Sequence, residues 1–531
     1  MSDKLQIFTA MTIYMLIVIG IGFYFSKRAN KSSEDYFLGG RSLGPWVAAM
    51  SAEASDMSGW LLMGLPGLAY WCGIADAAWT AIGLAVGTYI NWLIVAKRLR
   101  RYSAVSGNAI TIPEFFSNRY HEKKNIIMTL SALFILIFFT VYAASCFVTC
   151  GKLFNTLFHF PYHAMLIAGA LFVVIYTFLG GFLAESASDF MQAIVMITAL
   201  SIILVCGTIS AGGIEAVIEN AKAIPGYLSL NSIASPITSI DGVQQVKDGA
   251  PLFGEAGKYG FLTILSTASW GLGYFGVPQV LLRFMAIRKT NELKKSRRIA
   301  TVWVIISLFA AVSIGVMGRV LLPTETSLLT NSGAENIFIN LSHYLLPAFL
   351  AGIVMAGILA ATISSSDSYL LIASSAVAKN IYEKSPRAKK LYFRLTGKDA
   401  DDKSVMNISR ITLLLITVIG IIIAWDEQSV IFDIVSFAWS GFGATFGPIM
   451  LFSLFWKRTT YPAAVSGMIA GAAMVFLWKL KIAALGGAFA IYELLPAFLF
   501  SSLVIVTVSL FTKKPSEEIC NEFEQVRTSQ E

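Results

Sequence analysis

Hydroxyl and carboxylate side chains are concentrated in one otherwise apolar stretch of this chain. The run Ala360-Ala361-Thr362-Ile363-Ser364-Ser365-Ser366-Asp367-Ser368 carries four serines, a threonine and an aspartate. Helical spacing places four of its residues along one side: Ala361, Ser364, Ser365 and Ser368. Hard monovalent cations prefer oxygen ligands. The run therefore predicts an ion site, and close helix packing through small residues is the alternative.

A second polar feature interrupts another apolar stretch. The segment from Ser51 to Trp60 contains Asp56 and is followed by Gly64, Pro66 and Gly67. An unpaired N–H or C=O in hydrocarbon is so costly that irregular backbone persists only where it lines a buried cavity. A carboxylate at membrane depth needs a cation, a partner or a water path. We expect Asp56 to serve an ion site, with a hydrogen bond to a freed amide as the alternative, and Glu53 to face cytoplasmic water.

The third feature is a break rich in aromatic residues. It reads Trp270-Gly271-Leu272-Gly273-Tyr274-Phe275-Gly276-Val277-Pro278, and Tyr142 lies in another apolar run. Aromatic faces with one polar group suit a small amphipathic organic solute. These residues lie inside apolar runs, which favours a solute pocket over an interfacial aromatic belt.

Asp189 is a further acidic candidate. It opens an apolar run and follows Gly180-Gly181-Phe182-Leu183-Ala184-Glu185. A buried functional acid and a helix N-cap, which aspartate favours, both fit this position.

The composition places these features in a membrane protein. The 531 residues are 56% hydrophobic and 14% charged, with a mean hydropathy of +0.68. Because about 20 apolar residues span a bilayer core, we predict an all-α integral membrane protein with about thirteen transmembrane helices. The apolar runs lie near 6–26, 45–70, 75–96, 126–155, 163–180, 188–211, 260–285, 300–322, 340–378, 407–425, 430–456, 461–479 and 488–511.

The net charge of +8 follows the membrane topology and does not indicate a nucleic-acid partner. Lysine and arginine concentrate in alternate loops, while the opposite loops hold few. The cation-rich segments are 27–41, 97–124, 288–298, 379–403, 457–458 and 513–514. This bias predicts an N-terminus outside the cell and a cytoplasmic C-terminus.

The two breaks lie roughly 215 residues apart, which matches two repeats of five helices. We expect them to be inverted repeats with the site between them. The division that this predicts comprises an N-terminal helix and inner loop (1–44), a first repeat (45–211), an extracellular loop (212–259), a second repeat (260–456), two additional helices (457–512) and a cytoplasmic tail (513–531). The loop is expected to carry a short helix or to act as a gate.

These stretches resemble the sodium/solute symporter family, and within it the members that take up proline. The resemblance runs from about residue 5 to 512. The matching motifs are Tyr36-Phe37-Leu38-Gly39-Gly40-Arg41-Ser42-Leu43-Gly44-Pro45, Ala54-Ser55-Asp56-Met57-Ser58-Gly59-Trp60 and its continuation to Gly67, Asn91-Trp92, the residues 177–184, the aromatic break at 270–278, and Phe437-Ala438-Trp439-Ser440-Gly441-Phe442-Gly443-Ala444.

The resemblance implies a leucine-transporter-like core of two inverted five-helix repeats and sodium-coupled uptake by alternating access. The residues that it implies as sodium ligands are Ala54, Met57, Ala361, Ser364 and Ser365, with Asp56 supporting the coupling. Those that it implies around proline are Tyr142, Trp270, Tyr274 and Pro278, with Ser58 and Trp60 nearby.

Some family members have a second sodium site. The resemblance assigns its positions to Asp189, Ser364, Asp367 and Ser368. Asp367 departs from the family pattern, which has a small polar residue there. The extra carboxylate would tighten cation binding or admit proton coupling, so the ion-to-solute ratio stays open.

We therefore predict a multi-pass symporter of the inner membrane that takes up L-proline with Na⁺. It is not expected to be an enzyme, and it is expected to work as a monomer surrounded by lipid. The nearest alternative is the same mechanism with another amino acid, pantothenate, sialic acid or a sugar. A membrane sensor with a transporter-like domain is a second alternative. A channel is disfavoured because we find no repeated filter loop or ring of like charges.

Overall fold

The computed structural model describes residues 2–29, 37–397, 399 and 401–528, apart from the side chains of residues 25–29 and 179–180. Tyr36, which opens the first family motif, and Lys31, in the first cation-rich segment, lie outside the described residues. The side chains of Lys27 and Arg28 do so as well.

Helices dominate the first half of the chain, and several of them are long enough to cross a bilayer. They are α1 (Asp3–Ala29), α2 (Pro45–Asp56), α3 (Leu65–Cys72), α4 (Ile74–Ile90), α5 (Ala96–Val105), α6 (Ile112–Arg119), α7 (Ile126–Phe158), α8 (Tyr162–Ser210) and α9 (Ile214–Lys222). Short π-helical turns at Trp60–Gly64 and Asn91–Val95 lead into α3 and α5.

The second half is built in the same way. Its helices are α10 (Phe261–Ala268), α11 (Pro278–Ala286), α12 (Leu293–Leu321), α13 (Asn331–Ala334), α14 (Ile337–Leu345), α15 (Ala348–Ser375), α16 (Pro386–Thr396), α17 (Asp402–Ile423), α18 (Ile431–Phe455), α19 (Tyr461–Leu477), α20 (Leu494–Phe511) and α21 (Glu517–Thr528).

The segment between α9 and α10 contains four two-residue strands. They are β1 (Ser232–Ile233), β2 (Val246–Lys247), β3 (Ala250–Pro251) and β4 (Gly257–Lys258). β1 pairs with β4 and β2 with β3, both antiparallel. The short helix expected in this loop is present as α9.

The chain is an all-α membrane protein apart from these short strands. Within the described residues, ten helices are long and apolar enough to cross a membrane. Shorter apolar helices occupy Trp60–Cys72 and Tyr162–Phe178. The apolar runs predicted near 45–70 and 260–285 are each divided into two pieces, α2 with α3 and α10 with α11.

The first break follows from its sequence. α2 begins with Pro45 at its first turn, where the missing N–H is not needed. It ends at Met57, whose φ of −85° and ψ of 77° lie outside the helical region. The chain resumes through the π-helical turn at Trp60–Gly64, and α3 has a proline in its first turn.

The second break is longer and tighter. After α10, a 3₁₀-helix covers Ser269–Phe275, and the extended residue Val277 precedes Pro278 at the start of α11. Proline disfavours the helical conformation for the residue before it, which explains why the helix is interrupted here. Both breaks therefore form at the positions that the sequence predicts.

α15, the helix that carries the serine-rich run, lies at the centre of the molecule. It packs against α1, α7 and α8, and its inner part also contacts α2 and α11. Every residue from Val354 to Ser375 is buried. The hydroxyls of the serine-rich run are therefore enclosed by protein and do not face lipid.

Two predicted boundaries are wrong. The run at 340–378 is not one helix, because α14 ends at Leu345 and α15 begins only after Pro347. The run at 188–211 begins earlier than predicted, at Gly181, where α8 kinks between its two apolar segments, Tyr162–Phe178 and Gly181–Ser210. Asp189 lies inside α8, eight residues after that kink, so it is not an N-cap.

The main chain of the second break lies directly against the main chain of α4. A Cβ atom at Gly271 would collide with the carbonyl oxygen of Gly83, and one at Gly87 would collide with the carbonyl oxygen of Gly271. Glycine at these positions lets the 3₁₀ segment lie directly on α4. This contact fixes the position of the second break along α4.

We expect Gly271→Ala to lower the free energy of unfolding by about 1–3 kcal/mol, the usual cost of overpacking. The new methyl group meets backbone, which cannot rotate away as a side chain can. The matched control is Gly20→Ala in α1, where a Cβ meets nothing within 4 Å. Thermal unfolding of the purified protein in detergent measures both. Equal midpoints for the two variants would contradict the contact.

Candidate ion and solute site

Oxygen atoms from the first break and from α15 converge. The hydroxyl of Ser364 donates to the carbonyl oxygen of Ala54 at 2.8 Å and lies 3.2 Å from that of Ala361. The hydroxyl of Ser365 reaches the same Ala54 carbonyl at 3.2 Å. All four residues are fully buried. Because a hydroxyl can rotate, this arrangement can turn four oxygens toward a desolvated cation. We call these four residues the oxygen cluster.

Met57 lies at the break itself, three residues after Ala54. Its amide closes the last turn of α2 by donating to the carbonyl of Glu53 at 2.8 Å. Its own backbone is non-helical, so its carbonyl leaves the direction of the helix axis. The side chain is fully buried. Met57 is therefore close in sequence to Ala54 of the oxygen cluster. Its role as a ligand stays a prediction.

Asp56 joins the two breaks. Its carboxylate accepts from the Tyr274 hydroxyl at 2.7 Å and from the Gln279 amide at 3.5 Å. Its main-chain carbonyl accepts from the indole N–H of Trp60 at 3.2 Å and from the Tyr142 hydroxyl at 3.4 Å. Three of the predicted pocket residues therefore meet at one aspartate, which lies two residues after Ala54.

Trp270 lies at the centre of an aromatic layer that includes Trp60, whose indole N–H donates to the Asp56 carbonyl. Its ring centroid lies 6.2 Å from that of Trp60, 5.9 Å from Trp439, and 5.2 Å from both Phe432 and Tyr492. The indole of Trp439 donates to the Trp270 carbonyl at 2.8 Å, which satisfies one carbonyl freed by the second break. The layer offers apolar ring faces at both breaks, because Trp60 follows the first break and Trp270 lies in the second.

Two more predicted pocket residues supply polar groups at the breaks. The hydroxyl of Ser58 is buried and has no hydrogen-bond partner among the described residues. Pro278 is the first residue of α11, which begins without a side-chain cap. The first N–H groups of such a helix attract negative charge. The side-chain amide of Asn91 donates to the Tyr274 carbonyl at 2.9 Å and so fastens the second break to the end of α4.

A second polar cluster lies one helical turn along α15 and has an arginine at its centre. The guanidinium of Arg283 in α11 pairs with Glu185 and with Asp189, the latter at 3.2 Å. It also donates to the hydroxyl of Ser368 at 2.9 Å. Ser51 in α2 donates to Asp189 at 2.7 Å. Four helices, α2, α8, α11 and α15, therefore meet at this guanidinium.

Asp367 borders the second cluster. One carboxylate oxygen accepts from the amide of Ser368 at 2.7 Å, and the other has no hydrogen-bond partner within the described chain. The structure thus brings Asp189, Asp367 and Ser368 to one region, and their role as ligands of a second sodium ion stays a prediction. It places Ser364 in the oxygen cluster, one turn away.

The sequence motifs do not predict Gln279, Arg283 or Glu185 at the site, and they predict the wrong surroundings for Glu53. An arginine inside an apolar run was a usable signal, since a charge at that depth needs partners. Glu53 does not face cytoplasmic water, because its side chain is 1% exposed and accepts from the indole N–H of Trp92 at 3.4 Å.

Comparison of the sequence with known protein families identifies the family of this chain. Residues 36–471 match the model of the Sodium:solute symporter family. The chain belongs to that family. This symporter is therefore a multi-pass membrane protein that couples Na⁺ to the transport of a solute, and it is not an enzyme.

Individual relatives agree with the family. The sodium/proline symporters of Staphylococcus aureus strains USA300 / TCH1516 and JH9 are each 38% identical to this symporter over 525 residues, which is 98% of this chain and 96% of theirs. A Na⁺-coupled sialic acid symporter in a substrate-bound outward-open state superposes with a TM-score of 0.73 at 17% identity, over 96% of this chain and 99% of its own. A nucleobase-cation-symport-1 family transporter superposes with a TM-score of 0.52 at 13% identity, over 93% and 99% of the two chains. The two structures establish a shared fold.

We expect Ser364→Ala and Ser365→Ala each to raise the sodium concentration for half-maximal transport by about tenfold or more. Each variant removes one oxygen of the oxygen cluster, and a lost contact to a charged group costs about 1.5–3 kcal/mol. The measurement is the initial rate of solute uptake against sodium concentration.

Ser366→Ala is the matched control, because the Ser366 hydroxyl bonds to carbonyls of its own helix, at 2.5 Å to Thr362 and 3.4 Å to Ile363. It should leave the sodium dependence unchanged. A double variant at Ser364 and Ser365 that keeps the wild-type sodium dependence would show that the ion binds elsewhere.

Proposed function

We propose that this symporter takes up L-proline together with Na⁺ across the inner membrane by alternating access. The observation that carries the proposal is the position of Asp56 between the oxygen cluster and the aromatic layer, where it bonds to Tyr274 of the second break. The similarity to curated sodium/proline symporters along 98% of the chain supports proline as the solute.

The chemistry of the breaks suits a small zwitterion with an apolar ring. Ring faces of Trp60 and Trp270 match the pyrrolidine ring of proline. The uncapped start of α11 at Pro278 suits the carboxylate. The free hydroxyl of Ser58 and the hydroxyl of Tyr142 supply acceptors for the secondary ammonium group. The predicted pocket residues thus provide one partner for each part of the solute.

Coupling follows from the short path between the two sites. A sodium ion held by the Ala54 carbonyl fixes the last turn of α2, and Asp56 follows two residues later. Asp56 in turn orients Tyr274 and Gln279 of the second break. Because coupling between two ligands is reciprocal, an ion that orders this chain favours solute binding, and the solute favours ion binding.

The fold supports the mechanism of alternating access. The two interrupted segments head the proposed repeats at 45–211 and 260–456, as inverted-repeat transporters require. Ten long apolar helices, the two interrupted segments and the shorter Tyr162–Phe178 helix support a count of thirteen spans. Rocking of one repeat against the other would then expose the central site to either side. The cation-rich loops orient the N-terminus outside and the C-terminus in the cytoplasm.

Uptake of labelled L-proline into proteoliposomes tests the proposal. An inward sodium gradient should raise the initial rate several-fold over equal sodium on both sides, because the gradient supplies the driving force. Proteoliposomes without the protein are the control. Equal uptake in the two conditions would refute coupling to proline.

A competition panel separates proline from other solutes. Unlabelled proline should suppress the uptake of labelled proline, whereas pantothenate, sialic acid, a sugar or another amino acid in excess should not. A competitor that is transported faster than proline would identify itself as the solute and would replace proline in the proposal.

We expect Trp270→Ala to weaken proline binding by about tenfold, the effect of losing about 1.4 kcal/mol of ring contact. The control is Trp425→Ala, which removes an indole that is 50% exposed and lies away from both breaks. Size-exclusion chromatography verifies folding, and competition binding with labelled proline measures affinity. Unchanged affinity in Trp270→Ala would place the pocket elsewhere.

A further inference from the structure

Arg283 is the one fully buried cation in the second polar cluster among the described residues. Its Nε donates to the Ser51 hydroxyl at 3.0 Å, and its Nη1 donates to the Gln279 carbonyl at 3.1 Å. Its Nη2 donates to Glu185, Asp189 and the Ser368 hydroxyl. Each guanidinium nitrogen therefore has at least one acceptor, as a buried charge requires.

The same atoms are those expected to hold a second sodium ion. Asp189 Oδ2 already accepts from Arg283 and from Ser51, and Ser368 Oγ accepts from Arg283 while it donates to Glu185. A sodium ion in contact with both Asp189 Oδ2 and Ser368 Oγ would occupy the position of Arg283 Nη2. These residues therefore do not fit a second sodium ion while Arg283 keeps its place.

Two of the three remaining carboxylate oxygens belong to groups that Arg283 already binds. Glu185 Oε2, Asp189 Oδ1 and Asp367 Oδ2 have no hydrogen-bond partner within the described chain. The other oxygen of Glu185 and of Asp189 is bound by Arg283, and that of Asp367 is bound by the Ser368 amide. An ion at Glu185 Oε2 or Asp189 Oδ1 would share its carboxylate with the guanidinium, and the two positive charges would repel each other.

We infer that Arg283 is a tethered cation that occupies the position of a second Na⁺, so that one chain binds a single sodium ion, at the oxygen cluster. The inference deepens the proposed function and rests on its sodium site at Ala54 and Ser364. Arginine suits the task because its guanidinium stays charged and presents five N–H donors in a rigid fork. Ser364 and Ser368 are one helical turn apart, so the fixed charge and the mobile ion are held by adjacent turns of α15.

Counting bound sodium tests the inference without any solute. Radioactive sodium is equilibrated with the purified protein in detergent, and the number of ions per chain is measured at saturation. The wild type should bind one ion, and Arg283→Gln should bind two, because the vacated acidic oxygens then accept an ion. Arg283→Lys keeps a tethered charge and should bind one. Two ions in the wild type, or one in Arg283→Gln, would overturn the inference.

Two further variants separate the possible failures. The double variant at Ser364 and Ser365, both changed to Ala, should bind no sodium ion, and retention of an ion there would refute the proposed sodium site instead. Arg319→Gln removes another buried arginine, which donates to Gln244 at 2.6 Å away from the cluster, and it should bind one ion. If Arg283→Gln fails to fold, the wild-type count and Arg283→Lys still decide.

Transport gives an independent readout. The ratio of sodium to proline entering proteoliposomes should be one for the wild type and should rise in Arg283→Gln. A wild-type ratio of two would overturn the inference and leave coupled uptake intact. Absence of proline uptake would refute the proposed solute, while the sodium count would still stand.

Discussion

Every backbone N–H and C=O inside a bilayer must find a partner within the protein, and the two interrupted helices are built around this constraint. The carbonyls of Ala54 and Asp56 are taken up by hydroxyls and an indole N–H from other elements. The carbonyl of Trp270 is satisfied by Trp439. The groups that repair the breaks are the same groups that surround the candidate site. Stability and ion binding therefore depend on one set of atoms.

The polar interior is divided into two regions with different electrostatic character. The oxygen cluster consists of uncharged carbonyls and hydroxyls, which suit an ion that must leave again. The region around Arg283 consists of carboxylates and a guanidinium that pair with one another. The bonds of Arg283 hold α2, α8, α11 and α15 together, while the uncharged oxygen cluster is free to respond to sodium.

The features that sequence predicts here are those with a local signal. Glycine and proline inside apolar runs marked both breaks, and the hydroxyls of 362–368 marked the candidate ion site. The surroundings of Arg283 could not be predicted in this way, because Glu185 lies 98 residues away in the chain. Helix ends were also missed where a proline divided an apolar run, as at Pro347. The aromatic partners of Trp270 depend on packing between α18 and the segment before α20, which no local pattern reveals.

The glycine contact between α4 and the second break has a mechanical consequence. Main chain rests on main chain at Gly83, Gly87 and Gly271, so the second break lies closer to α4 than any side chain at these positions would allow. A methyl group at one of them would push the break outward and carry Tyr274 away from Asp56, to which its hydroxyl donates. Three residues without side chains therefore help to keep the solute-side tyrosine within reach of the ion-side carboxylate.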